Sequence, residues 1–69
     1  MLSLELKDND FIPLCDLLKR VGLCESGGHA KSVIAAGEVQ VNGVVELRKR
    51  CKIIVGQEVT YNNEKVVVC

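Results

Sequence analysis

At 69 residues, 48 % of them hydrophobic, this chain has room for one domain, 1–69, and one small core. Nine basic and nine acidic side chains cancel to a formal net charge of 0, so composition alone carries no nucleic-acid signal. No apolar run approaches the roughly 18 residues of a membrane span, and the N-terminus lacks a basic segment followed by an apolar one. The expectation is a cytoplasmic protein with no membrane partner and with its four cysteines, Cys15, Cys24, Cys51 and Cys69, reduced.

Leu2, Leu4 and Leu6 alternate with Ser3, Glu5 and Lys7, the period of a strand with one buried face. A polar turn is predicted at 7–10. Ile12 and Pro13 then open a first helix, with the proline at its first position, where a missing N–H costs nothing. Leu14, Leu17, Leu18 and Val21 form its buried stripe, and Gly22 ends it.

A second helix begins at Ser26, whose side-chain oxygen can accept from a free first-turn N–H. Ala30, Val33 and Ile34 make its apolar face. Gly37 stops it, since glycine reaches positive φ cheaply. The period then changes to two: Val39 and Val41 point one way and Gln40 the other, and Asn42-Gly43 supplies a tight hairpin turn. Val44, Val45 and Leu47 continue into the return strand. Ile53, Ile54 and Val55 follow a basic segment, with Gly56-Gln57 as a turn. Residues 58–61 and 65–69 read as strands flanking an Asn62-Asn63 turn. The first strand is expected to pair beside Val66 and Val68, covering an apolar edge. The fold class is α+β: two packed helices against a short-stranded, mainly antiparallel sheet.

The charges are unevenly spread. Residues 48–52 hold four positive side chains, Arg48, Lys49, Arg50 and Lys52, and no negative one. They lie at a strand end or in the loop before Ile53; if the backbone there is extended, Arg48, Arg50 and Lys52 share one side, about 6.6 Å apart, with Lys49 on the other. Such a row can meet successive phosphates, and arginine's planar fork takes two phosphate oxygens. Lys31 on the second helix and Lys19 and Arg20 on the first are candidates to extend the surface. Gly27 and Gly28 leave the first-turn amides after Ser26 uncovered, where a phosphate can sit with His29 donating beside it; otherwise the glycines serve close helix packing. Of the two aromatics, Phe11 and Tyr61, Tyr61 is the candidate stacking platform, though its alternation with Val59 favours packing. Recognition of RNA shape through the backbone is therefore expected, not base-by-base reading.

Other chemistries fit less well. Cys24 and His29 have no third group to orient the histidine as a base, and the cysteines are not spaced as zinc ligands, so no enzyme, metal, cofactor or small-molecule substrate is expected. The competing reading is a protein-interaction module using 66–69 as an exposed sheet edge.

The pattern resembles the RNA-binding domain first defined in ribosomal small-subunit protein four, and especially the short free-standing bacterial form, the YbcJ-like proteins. Its leucine-rich first helix corresponds to Leu14, Leu17 and Leu18. Its Ser-Arg-x-x-Ala-Arg helix start corresponds to Ser26, Ala30 and Lys31, and its Ile-x-x-Gly-x-Val-x-Val-Asn-Gly run to Ile34, Gly37, Val39, Val41, Asn42 and Gly43. The resemblance implies an alpha-L type RNA-binding motif, a monomer, and structured RNA as partner, ribosomal or transfer RNA among the candidates. The motif's first arginine is replaced by Gly27, which shifts the expected binding toward residues 48–52.

Overall fold

The computed structural model describes residues 2–7 and 9–69. Its elements run β1 (Leu2–Leu4), β2 (Ile12–Pro13), α1 (Leu14–Arg20), α2 (Gly27–Ala35), β3 (Val39–Val41), β4 (Val44–Val45), β5 (Lys52–Ile53), β6 (Glu58–Tyr61) and β7 (Glu64–Val68). Five strands form one sheet in the order β1-β7-β6-β3-β4, and β2 and β5 form a separate antiparallel pair. Within the larger sheet every pairing is antiparallel except β1 with β7.

Local sequence accounts for most of these boundaries. Ser26 caps α2: its Oγ accepts the His29 N–H at 3.1 Å. Both helices end alike. Gly22 and Gly37 take φ of 84° and 79°. Behind α1 the Gly22 and Leu23 N–H groups donate to the Lys19 and Leu18 carbonyls, and behind α2 those of Gly37 and Glu38 donate to Ile34 and Val33. This paired bonding satisfies the last carbonyls of each helix. The two hairpins use positive φ at both central residues, Asn42-Gly43 and Asn62-Asn63, which matches the twist of the strands they join. Asn42 also fastens its hairpin to β6: its Oδ1 accepts the Glu58 N–H at 2.9 Å, and its own N–H donates to the Glu58 carbonyl at 2.7 Å.

The core lies where the helices cover one face of the sheet. Leu14, Leu17, Leu18, Ala30 and Ile34 from the helices are fully buried with Val39, Val59, Val66 and Ile53. Gln40 is exposed between Val39 and Val41, as period two requires. Cys15 and Cys24 are buried as small hydrophobes.

Several expectations need correction. Pro13 is the cap of α1, extended at φ −61°, ψ 141°, not its first residue. Pairing of Ile12 with Ile53 and Pro13 with Lys52 holds it in a strand, so the helix waits until Leu14. Beyond Val45 the return strand stops, and Val44, Val45, Leu47, Ile54 and Val55 are all exposed. The turn near residue 56 is one residue earlier than predicted: the Gln57 N–H donates to the Ile54 carbonyl, with Gly56 at φ 94°. The expected pairing of the first strand with Val66 and Val68 is present, in parallel register. It puts β7 between β1 and β6, so 66–69 is not the free edge that the protein-interaction reading needed; the open edges of the sheet are β1 and β4. Of the predicted 7–10 turn, Lys7 adopts φ 54°, and Asp8 lies outside the described residues.

Candidate nucleic-acid interface

Of the two expected placements the structure has the loop before Ile53, closed as a turn, and not the strand end. The Cys51 N–H donates to the Arg48 carbonyl at 3.2 Å, placing Lys49 and Arg50 at the tip. The expected alternating row is therefore absent, because a turn reverses direction within four residues. The turn nevertheless gathers the charges. Arg48, Arg50 and Lys52, with Cys51, line one open depression of about 390 Å³.

Two sets of bonds hold this turn. Pro13 offers α1 no side-chain cap, and the first N–H groups of a helix need partners from outside it. The turn supplies them: the Leu14 N–H donates to the Cys51 carbonyl at 2.9 Å, and the Cys15 N–H to the Lys49 carbonyl at 3.1 Å. The cationic loop is thus docked by its backbone on the start of a buried helix.

The second set centres on Glu46, which sequence reasoning missed. Its carboxylate accepts the Arg48 N–H at 3.0 Å, the Arg48 Nε–H at 3.0 Å and an Arg48 Nη2–H at 3.1 Å. The Cys51 thiol donates to its Oε1 at 3.6 Å. Glu46 stands two residues before Arg48, a spacing that sequence can offer but cannot by itself turn into a bidentate pair. Arg48 is pinned yet accessible, with 76 % of its side chain exposed. The Arg48 guanidinium, then its N–H, hold the Glu46 carboxyl at about 2, against an ordinary 4.5. Burial, then the Glu46 charge, push the Cys51 thiol up, which keeps it a donor.

A carboxyl held low in the folded state lends stability above its ordinary pKa and loses it as pH falls through the folded value. Glu46 therefore adds to acid unfolding between pH 4.5 and about 2. Glu46→Gln is expected to flatten that limb: the urea midpoint of the parent should fall more steeply than the variant's from pH 5 to pH 2. Parallel limbs would contradict the assignment.

The remaining candidates are dispersed. Lys19 and Arg20 share a second depression with Asp16 near the end of α1. Lys31 is exposed on α2, and neither it nor Ser26, Gly27, Gly28 and His29 lines either depression. His29 is turned back to the cap, its Nδ1 accepting the Glu25 N–H at 3.4 Å. Close helix packing does not explain the glycines: a Cβ at Gly27 would meet nothing within 4 Å, and one at Gly28 only the Ser26 Oγ at 3.9 Å. Cys24 is buried, so it is not presented beside His29 as a nucleophile. Among the described residues no cluster of His, Cys, Asp and Glu could hold a metal ion, and no helix is long and apolar enough to cross a membrane. Tyr61 packs half-buried against the core. The aromatic beside the cations is Phe11, with the Lys52 Nζ 5.0 Å from its ring centre.

A family model described as the S4 domain matches residues 4–69. The chain belongs to the S4 domain family. Two curated relatives of this S4 domain are 48 % identical over 68 residues, which is 99 % of this chain and 97 % of theirs. They are the putative RNA-binding protein YbcJ of Escherichia coli strain K12 and the uncharacterized protein YbcJ of Shigella flexneri. The solution structure of the E. coli protein, described as revealing an alfaL motif involved in RNA-binding, superposes with a TM-score of 0.76 at 48 % identity. The match covers 99 % of this S4 domain and 86 % of that chain. The YbcJ-like resemblance is a family relationship, and the α+β fold of two helices on a mainly antiparallel sheet is the fold they share.

Proposed function

We propose that this S4 domain binds structured RNA without catalysis, gripping the phosphate backbone with the 48–52 turn. The observation that carries the reading is the convergence of Arg48, Arg50 and Lys52 on one open depression in a chain whose formal net charge is 0. Its E. coli relative, described as a putative RNA-binding protein with an alfaL motif involved in RNA-binding, supports it. In this reading Arg50 offers its planar fork to phosphate oxygens, Arg48 the guanidinium edge that Glu46 leaves free, and Lys52 a point charge. Lys49, at the turn tip, meets the strand beyond. Lys19 and Arg20 extend the surface along α1. Lys31 and the Ser26, Gly27, Gly28 and His29 cap are peripheral contacts, because Gly27 stands where the motif has arginine. The partner is ribosomal or transfer RNA, the protein acts as a cytoplasmic monomer, and its role lies in ribosome- or tRNA-related RNA metabolism.

The test replaces Arg48, Arg50 and Lys52 together by glutamine and measures binding of a structured RNA. Binding lost with the fold retained supports the site; unchanged affinity overturns it.

A further inference from the structure

A third depression, of about 180 Å³, is lined by the segment that precedes α1 and by Asp16 and Arg20 of α1. Phe11 and Arg20 line it with Asn9, Glu5 and Asp16. One contact links it to the opening at the basic turn: Lys52, which lines that opening, sits with its Nζ 5.0 Å from the Phe11 ring centre. At the other end Arg20 and Asp16 also line the depression shared with Lys19.

The lining chemistry differs from that of the basic turn. Two carboxylates, Glu5 and Asp16, make it a poor home for a phosphate, since like charges repel in a partly dehydrated site. Carboxylates and the Asn9 amide are good acceptors for N–H groups. Phe11, 38 % exposed, offers an apolar face, and the planar guanidinium of Arg20 can stack on a flat ring. A flat, aromatic group with N–H donors at its edge matches all of these, and an unpaired nucleobase is such a group.

We propose that this depression receives one unpaired base of the bound RNA, stacked on Phe11 while the adjoining backbone lies against Arg48, Arg50 and Lys52. The inference rests on the RNA-binding reading and adds to it. The RNA recognised carries a base displaced from its helix, and Phe11 is a contact residue. Base stacking on an aromatic side chain is worth enough that its loss weakens binding about fivefold or more.

The test uses two RNA hairpins with the same stem, one fully paired and one carrying a single bulged 2-aminopurine. Wild-type protein is expected to bind the bulged RNA more tightly than the paired one, by about fivefold or more, and to change the 2-aminopurine fluorescence. Phe11→Leu keeps the packing of an apolar side chain but removes the ring. It should bind both hairpins as wild type binds the paired one, with no fluorescence change. Phe11→Tyr should behave as wild type. Equal wild-type affinity for the two hairpins, or a bulge preference that survives Phe11→Leu, overturns the base site while leaving phosphate binding intact. Failure to bind either hairpin overturns both readings.

Discussion

Glutamine at positions 48, 50 and 52 together is expected to weaken binding of a structured RNA about a hundredfold near 0.1 M salt. Each charge-assisted contact from an exposed side chain contributes about 1 kcal/mol net, and three of them sum to roughly 3 kcal/mol, about two decades in affinity. The fold should survive. All three side chains are exposed, and the turn keeps its docking through backbone groups, the Leu14 and Cys15 N–H bonds to the Cys51 and Lys49 carbonyls. Loss of the Arg48–Glu46 side-chain pair removes some stability near neutral pH, limited by the exposure of Arg48, and the Glu46 carboxylate still accepts the position 48 N–H. Far-UV circular dichroism should therefore match the parent while a fluorescence-anisotropy titration shows the loss. An affinity within twofold of the parent would move the interface elsewhere on the molecule.

Leu17→Ala is expected to leave the protein largely unfolded at 37 °C. Leu17 is completely buried in α1, and truncating such a leucine costs about 2–5 kcal/mol through lost transfer energy and an unfilled cavity. Below about 70–80 residues a single core rarely supplies more than about 3–5 kcal/mol in total. There is little aromatic bulk to compensate, because the buried core around Leu17 is built from Leu, Ile, Val, Ala and two cysteines. The consequence reaches the RNA face, since the 48–52 turn is anchored on the first two N–H groups of this helix. Thermal melts followed at 222 nm should show the transition displaced below physiological temperature, with RNA binding lost alongside it. A cooperative melt within a few degrees of the parent would mean that Leu17 matters less than its burial implies.

What sequence could foretell divides along local and non-local lines. Ser26, Gly22, Gly37, Asn62-Asn63 and, as a turn, Asn42-Gly43 act through bonds and dihedral angles within a few residues of themselves, so these roles are legible in sequence. The buried stripe of Leu14, Leu17 and Leu18 is legible for the same reason. The two bonds between Asn42 and Glu58 are not, because they reach across to β6. Pro13 was misplaced because its conformation is set by Lys52, far along the chain. The parity argument for Arg48, Arg50 and Lys52 failed because the segment bends to satisfy α1, a demand no residue between 48 and 52 announces. That the cations still meet in one depression is a property of the turn, not of strand alternation. Phe11 was passed over for Tyr61 because only the fold shows which aromatic lies against Lys52. Glycine at 27 gains no packing reason from the fold, since its surroundings would admit a side chain.

The most direct measurement is the wild-type affinity for one structured RNA at several salt concentrations between 50 and 300 mM, on the order of the range where counterion release is read. Three phosphate contacts from Arg48, Arg50 and Lys52 predict that log K falls linearly with log salt, with a slope of about −3 or steeper. The triple glutamine variant should lose about three units of that slope. A wild-type slope near zero would contradict the account, because RNA held without displaced counterions is not held by these cations.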